Sequence, residues 1–182
     1  ILVYAAAGGV GLLLCQWANR LGANVIGCVG SEEKARLAKE NGCHHTILYR
    51  EEDIPARVRE ITAGVGVAVA YDSIGQATFE KSLDSLRPFG VLATYGAASG
   101  PVEPFSPQIL AGKGSLYVTR PTLATHISTR ALLEEGAQRL FDAVESGQVK
   151  VSVNQTLALA DCAEAHRQLE ARETTGSTIL RI

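Results

Sequence analysis

The feature that most constrains the fold is the alternation of short apolar runs with helix-length segments. Strands are predicted at 1–4, 24–29, 46–49, 65–72, 90–95 and 115–119. Helices are predicted between them, at 10–21, 32–41, 53–62 and 79–86. The strands are almost continuously apolar, so both faces of each must be covered, and strands joined by helical crossovers pair in parallel. The sequence therefore predicts an α/β fold with a doubly wound, parallel, six-stranded sheet.

The pattern changes after residue 123. A helix is predicted at 129–146, a strand at 155–159, a helix at 160–172 and a strand at 178–182. We do not predict a further βαβ repeat in this tail. The expected division is a sheet domain at 1–123 and a C-terminal tail of helices and strands at 124–182.

Composition excludes several functional classes. The chain is 46% hydrophobic with a formal net charge of −2, so it offers no basic surface to nucleic acid or an anionic membrane, and no apolar run is long enough to span a bilayer. The four cysteines have no metal-ligand spacing, and adjacent His44 and His45 would point to opposite faces of a strand. We predict no metal site, free thiols and a reducing, cytoplasmic setting.

The loop between the first strand and the first helix carries a glycine motif. Residues 6–11 read AAGGVG, an AxGxxG pattern in which Ala6 stands where a first glycine is usual. A tight turn that enters a helix directs backbone N–H groups and the positive end of the helix dipole at an anion. In the first βα unit of the chain, this pattern predicts a dinucleotide pyrophosphate site at Gly8, Gly9, Val10 and Gly11.

The end of the second strand indicates which dinucleotide binds. Sites that prefer NAD place an Asp or Glu there to hold the ribose hydroxyls. This chain has Gly30 and Ser31 instead, with Ser31 predicted to cap the next helix and Lys34 one turn into it. A hydroxyl and an ammonium group suit a 2′-phosphate, which a carboxylate would repel. The predicted cofactor is NADPH.

At these residues the chain resembles the zinc-free quinone oxidoreductase branch of the medium-chain dehydrogenases/reductases, which includes zeta-crystallin. The matching stretches are AAAGGVGLLLCQWANRLGANVIG, ILYREED, YDSIG, GSLYVTRP and LEARETTGS. They extend over essentially the whole chain. The resemblance implies a Rossmann fold and an enzyme that reduces a quinone or related conjugated carbonyl with NADPH.

The resemblance also implies roles for individual residues. Gly9 and Val10 would contact the pyrophosphate, Gly30, Ser31 and Lys34 would surround the 2′-phosphate, and Tyr49 would lie on the adenosine side. The further cofactor residues that it implies are Ser73, Tyr95, Gly96, Ala97, Ala98, Pro121, Thr122, Leu123 and Arg172. No catalytic residue is assigned.

The sixth predicted strand, 114–119, should lie at an edge of the sheet because it comes last. Leu116, Tyr117 and Val118 make it apolar, and it lacks the charges or central proline that protect edges from pairing. Gly112 and Gly114 would let another backbone approach. We predict a homodimer of the intact protein through this strand, as the resemblance also implies. The alternative is that another domain or the tail covers this edge.

The chain begins inside a strand-like run and contains no methionine, so we interpret it as a piece of a longer protein. By resemblance, a GroES-like catalytic domain would precede it, residues 124–182 would dock on that domain, and the piece alone would be inactive. Two alternatives remain open: an enoyl or alkenal reductase, and a non-catalytic NADPH-binding protein of crystallin-like or RNA-binding type. A methyltransferase-like fold is disfavoured because it would carry an acid after the second strand.

Overall fold

The computed structural model describes all 182 residues, with strands and helices alternating along the chain. The strands are β1 (Leu2–Val3), β2 (Ile26–Val29), β3 (His45–Leu48), β4 (Val67–Asp72), β5 (Leu86–Thr94), β6 (Tyr117–Thr119), β7 (Val153–Ala158) and β8 (Ser177–Arg181). The helices are α1 (Gly9–Arg20), α2 (Glu32–Glu40), α3 (Ile54–Ile61), α4 (Phe79–Ser85), α5 (Gln108–Gly112), α6 (Leu123–His126), α7 (Arg130–Glu145) and α8 (Cys162–Glu170). None of these helices has the length and apolar character that crossing a bilayer requires.

Strands β1 to β6 form one parallel sheet in the order β3-β2-β1-β4-β5-β6. The direction of winding reverses between β1 and β4. In open α/β sheets, ligands bind outside the carboxyl ends of the strands at such a reversal. The predicted α/β class and the doubly wound, six-stranded parallel sheet, a Rossmann fold, are confirmed.

The two-residue strand β1 shows how the sheet is covered on both faces. Leu2 and Tyr4 belong to a core built with side chains of α3 and α4, whereas Val3 belongs to a second core built with α1 and α2. Successive residues of a strand face opposite sides, so the apolar run at the start of the chain contributes to both cores. All three of these side chains are at most 2% exposed.

The boundary between α4 and β5 differs most from the sequence-based expectation. α4 ends at Ser85 and β5 begins at once at Leu86, whereas a helix to 86 and a strand from 90 were predicted. The strand begins four residues earlier than predicted and continues past Pro88 through a bend in which Phe89 has a φ of 60°, opposite a register shift in β4. The short helices α5 and α6 were not predicted.

The tail departs from prediction more clearly. β7 and β8 pair in parallel and are joined by a 3-10 helix (Leu159–Asp161) and α8, so they do form a βαβ unit, and the expectation of none was wrong. Both strands are largely exposed. They therefore lack the continuous apolar composition by which buried parallel strands are recognised.

The tail contacts the sheet domain through polar groups. The side chain of Gln16 in α1 donates to the Lys150 carbonyl at 3.1 Å and accepts from the Lys150 N–H at 2.8 Å. The Gly176 N–H donates to the Ala7 carbonyl at 2.9 Å. The tail thus lies beside the glycine motif, while the division at residue 123 stays a prediction.

Candidate nucleotide-binding site

The segment between β1 and α1 forms a tight turn that both neighbouring strands hold in place. The Tyr4 N–H donates to the Tyr71 carbonyl of β4 at 3.0 Å, and the Ala6 N–H donates to the Cys28 carbonyl of β2 at 3.2 Å. Between them, Ala5 has a φ of 49°, a left-handed conformation that reverses the chain. The motif is therefore fixed at the carboxyl end of the sheet.

The first turn of α1 presents backbone donors that no protein group uses. The first hydrogen bond of the helix runs from the Leu12 N–H to the Gly8 carbonyl, at 2.9 Å, and the N–H groups of Val10 and Gly11 have no acceptor. The Gly9 N–H faces the Gly176 carbonyl, because Gly8 and Gly176 form an isolated parallel bridge. No acidic residue lies in this turn. Two free donors at the positive end of a helix dipole suit a bound pyrophosphate.

The glycines of the motif are explained by close approaches. A Cβ on Gly11 would lie 2.8 Å from the Cα of Ala6, and one on Gly9 would lie 3.2 Å from the carbonyl oxygen of Gly176. Gly11 therefore lets α1 pack against the turn, and Gly9 lets the tail pass beside it. Ala6 stands where a first glycine is usual, and its methyl group has room because the residue facing it in β2 is Gly27. A Cβ on Gly27 would lie only 2.8 Å from that methyl.

A basic cluster, which we define as Lys34, Tyr49, Arg50 and Arg172, lies at the ends of β2 and β3. The Lys34 ammonium donates to the Arg172 carbonyl, and the guanidinium groups of Arg172 and Arg50 lie close enough to the Tyr49 hydroxyl to lower its pKa. Arg50 also lies 6.0 Å over the Tyr49 ring. Arg172 has a φ of 61°, so a left-handed residue after α8 places it in the cluster.

Gly30 and Ser31 lie next to the basic cluster. A Cβ on Gly30 would lie 2.8 Å from the Tyr49 hydroxyl oxygen, so only a glycine at this position leaves room for the Tyr49 ring to lie over the end of β2. The Ser31 hydroxyl accepts from the Lys34 N–H at 3.3 Å, which confirms the predicted helix cap. The structure therefore brings together Gly30, Ser31, Lys34, Tyr49 and Arg172, although Arg172 is 138 residues from Lys34.

The positive charge of the cluster changes the acidity of Tyr49. Partial burial raises the pKa of its hydroxyl, but the neighbouring guanidinium groups of Arg172 and Arg50 lower it, and the net shift is downward. A phenol that ionises more readily than usual marks a positive electrostatic potential at this point. The acids closest in sequence to Lys34, Glu32 and Glu33, lie exposed in the first turn of α2.

At the ends of β4 and β5, buried Asp72 organises the backbone. Its Oδ1 accepts from the N–H groups of Ile74 at 2.7 Å and Gly75 at 3.1 Å, and its Oδ2 accepts from the hydroxyls of Thr78 at 2.7 Å and Ser82 at 2.9 Å. Asp72 is 1% exposed. One carboxylate thus shapes the turn that begins at Ser73.

The predicted residues after β4 and β5 lie side by side. The Ala98 N–H donates to the Ser73 carbonyl at 3.2 Å, and a Cβ on Gly96 would lie 2.8 Å from the Cα of Ser73. Ala97 lies within the same segment, with its carbonyl accepting from Gly100. Burial raises the pKa of Tyr95, against a smaller lowering effect of its hydrogen bond with Ser73.

Pro121, Thr122 and Leu123 are not joined to this group by any hydrogen bond. They follow the edge strand β6, and Leu123 is 73% exposed at the start of α6. The remaining predicted residues therefore form one surface along the ends of β1, β2, β4 and β5, with the 121–123 segment apart from their hydrogen-bond network.

Sequence reasoning missed four contributors: Gly27, Arg50, Asp72 and Gly176. Gly27 had a usable signal, since a glycine inside a strand indicates a close approach. Asp72 ends an otherwise apolar strand, but its four hydrogen-bond partners could not be predicted from the sequence.

His44 has a structural role, accepting from the Val25 N–H at 3.1 Å. No group of three or more His, Cys, Asp or Glu side chains is placed to hold a metal ion.

Comparisons with known proteins agree with this architecture. A quinone oxidoreductase of Pseudomonas aeruginosa is 51% identical over 180 residues, covering 99% of this chain and 55% of the relative. A 2-haloacrylate reductase of Burkholderia sp is 49% identical over 181 residues, covering 99% of this chain and 54% of the relative. This chain therefore spans about half the length of these curated relatives.

A solved structure gives the same result. The crystal structure of Escherichia coli quinone oxidoreductase complexed with NADPH superposes with a TM-score of 0.95 at 48% identity, covering 100% of this chain and 56% of that chain. A family model described as zinc-binding dehydrogenase matches residues 9–138, well over half of the chain. The chain thus belongs to the zinc-binding dehydrogenase family of medium-chain dehydrogenases/reductases and corresponds to its Rossmann-fold half.

Proposed function

We propose that this chain binds NADPH along the ends of β1, β2, β4 and β5 and is the cofactor domain of an NADPH-dependent quinone oxidoreductase. The observation that carries the proposal is the basic cluster at the end of β2, where an NAD site would have a carboxylate. The names of the relatives support the acceptor class, and the NADPH complex of the Escherichia coli relative supports the cofactor.

The residues present fit this cofactor. The free N–H groups of Val10 and Gly11, with the backbone of Gly9 beside them, would hold the pyrophosphate. Lys34 has three N–H donors and uses one on the Arg172 carbonyl, so two are left for a phosphate. Ser31 accepts from the Lys34 backbone, which leaves its own O–H free to donate. Bound NADPH supplies a hydride, and the role of the chain is to bind and orient it.

A charge reversal at Lys34 tests the cofactor. Lys34→Glu should weaken NADPH binding by about 1–3 kcal/mol, the scale of a lost charge-assisted contact, and leave NADH binding unchanged. Lys39→Glu is the matched control, because Lys39 lies exposed in the last turn of the same helix. Titration calorimetry with both cofactors measures the effect. Equal losses for NADPH and NADH would contradict the 2′-phosphate assignment.

A second candidate function is the reduction of an activated carbon–carbon double bond. The 49% identity to a 2-haloacrylate reductase favours it, and it uses the same cofactor surface. NADPH oxidation by the intact protein should be measured with a panel of quinones, a 2-enoyl thioester, an alkenal and a 2-haloacrylate. Turnover with quinones supports the first function and turnover only with the others supports the second. Tight NADPH binding without turnover would favour a non-catalytic binding protein.

We also propose that the intact protein is a homodimer through β6. This strand lies at an edge of the sheet, and Tyr117 is 60% exposed. Leu116 is in fact buried in the core, and Gly114 accommodates Pro88 of the same chain, so the exposed apolar edge is shorter than expected. Tyr117→Pro and Val118→Pro cover both hydrogen-bonding registers. Sedimentation velocity should show monomers for one of them, and two unchanged dimers would argue against this interface.

Two further expectations belong to this proposal. The four cysteines are all free thiols, which supports a reducing, cytoplasmic setting. Independence from zinc stays a prediction that comes from the resemblance. Both apply to the intact protein.

A further inference from the structure

Two buried thiols meet beneath the glycine motif. The Sγ atoms of Cys15 in α1 and Cys43, in the turn before β3, lie 3.3 Å apart. A disulfide has an S–S length of about 2.0 Å, so the two sulfurs need to approach by only about 1.3 Å to become bonded. Neither residue is used by the proposed cofactor site.

The backbones that carry these thiols are already in contact. A Cβ on Gly42, next to Cys43, would lie 2.9 Å from the Cys15 carbonyl oxygen. On its other side, Cys43 contacts the motif through Gly27, where a Cβ would lie 2.7 Å from the Cys43 Sγ and 2.8 Å from the Ala6 methyl. The backbone segments that carry the two sulfurs are therefore held against each other on both sides of Cys43.

The two thiols differ in access and in acidity. Cys15 is completely buried, whereas Cys43 is 6% exposed, so Cys43 is the member of the pair that reaches the surface. Their shared hydrogen bond lowers the pKa of Cys43 and raises the pKa of Cys15. The thiolate is the reactive form of cysteine. By contrast, burial raises the pKa of Cys28, and that thiol has no sulfur partner.

We propose that Cys15 and Cys43 form a peroxide-oxidisable pair that closes to a disulfide. The Cys43 thiolate attacks one oxygen of hydrogen peroxide, the O–O bond breaks, and Cys43 becomes a sulfenic acid as one water leaves. The Cys15 sulfur then attacks the Cys43 sulfur, the S–O bond breaks, and a second water leaves as the S–S bond forms. The two electrons and two protons lost by the thiols end in the two waters, and a dithiol reductant reverses the reaction.

The test is to oxidise the reduced chain with hydrogen peroxide, alkylate the remaining thiols in denaturant, and map the peptides by mass spectrometry. We expect two of the four thiols to be lost, the mass before alkylation to fall by two hydrogens, and Cys15 and Cys43 to appear in one cross-linked peptide pair. Dithiothreitol should restore all four. Exposed Cys162 is the internal reference for a thiol without a sulfur partner.

Two variants control the experiment. Cys162→Ser should keep the cross-link, and Cys43→Ser should abolish it while leaving Cys15 alkylatable. If Cys43→Ser does not fold, the presence or absence of the cross-linked Cys15–Cys43 peptide pair in the unmodified chain still tests the proposal. Full alkylation of Cys15 and Cys43 at a peroxide concentration that oxidises Cys162 would overturn the proposal. Because the readout needs no cofactor, this result is independent of the proposed NADPH site.

Discussion

Replacing Asp72 with alanine should destabilise the fold much more than replacing it with asparagine. The carboxylate accepts four hydrogen bonds, two from backbone N–H groups and two from hydroxyls. The hydroxyls can find other acceptors, as Thr78 already does at the Gly75 carbonyl. The N–H groups of Ile74 and Gly75 have no such alternative in the turn, so their loss dominates the cost.

The magnitude follows from these two bonds. A hydrogen bond to a charged group contributes about 1.5–3 kcal/mol, so Asp72→Ala should lower the free energy of unfolding by about 3–5 kcal/mol once the relieved carboxylate desolvation is included. Asp72→Asn keeps an oxygen for both N–H groups and should cost about 1–2 kcal/mol. For a chain of this size, each kcal/mol shifts the Tm by about 2–4 °C, so the two variants are readily separated.

Urea denaturation followed by far-UV circular dichroism measures these changes, with a constant m-value as the check that the denatured state is the same. Asp84→Ala is the control, since Asp84 is an exposed acid paired with Lys113 at the surface and should have no measurable effect. If the alanine and asparagine variants of Asp72 are equally stable, the hydrogen bonds to the turn are not what stabilises it.

Three further changes test other parts of the structure. Arg59 donates to four backbone carbonyls, two in the turn after α3 and two where α4 meets β5. Arg59→Ala should therefore lower the free energy of unfolding by about 2–3 kcal/mol in urea denaturation, whereas Arg57→Ala, which removes ion pairs with Glu52 and Glu60, should not. Phe89 is 68% exposed and has a φ of 60°, a left-handed conformation that strains every residue except glycine. Phe89→Gly should therefore raise the free energy of unfolding by about 1 kcal/mol. An equal gain from Phe89→Ala would argue against backbone strain. The pKa of Tyr49 is lowered in the folded state, so the contribution of this residue to the unfolding free energy should rise as the pH increases toward the usual tyrosine value of about 10. The raised pKa values of Tyr4, Cys15, Cys28 and Tyr95 act in the opposite direction, so the contribution is measured by difference. Tyr49→Phe and Arg172→Ala should each lose stability relative to the unmodified chain as the pH rises, and differences that do not change with pH in either variant would contradict the assignment.

What could be predicted from the sequence was local. The apolar period of the strands, the AxGxxG turn and the capping serine at position 31 each depend on neighbouring residues, and each is found in the structure. The basic cluster was foreseen only in part, because Lys34 follows from the strand end, whereas Tyr49 and Arg172 were placed by resemblance. The hydrophobic periodicity of single elements cannot show that Lys34 of α2 contacts Arg172, which lies 138 residues further along the chain.

The failures have physical reasons of the same kind. β7 and β8 are exposed strands, so their composition did not show that they pair in parallel. β5 continues through Pro88 and Gly90, whose usual place is a turn. The contact between Cys15 and Cys43 depends on how α1 packs against the turn after α2, which the separate patterns of these segments do not contain.

The separation of Lys34 from Arg172 has a consequence for synthesis. The six-stranded sheet ends at Thr119, so it can assemble while the tail is still on the ribosome, where chains grow at about 5–20 residues per second. Arg172 follows Lys34 by 138 residues, a delay of roughly 7–28 s at that rate. The segment at Gly176 that passes beside Gly9 emerges later still. A chain whose translation stops before Arg172 therefore has every strand of the sheet but an incomplete basic cluster.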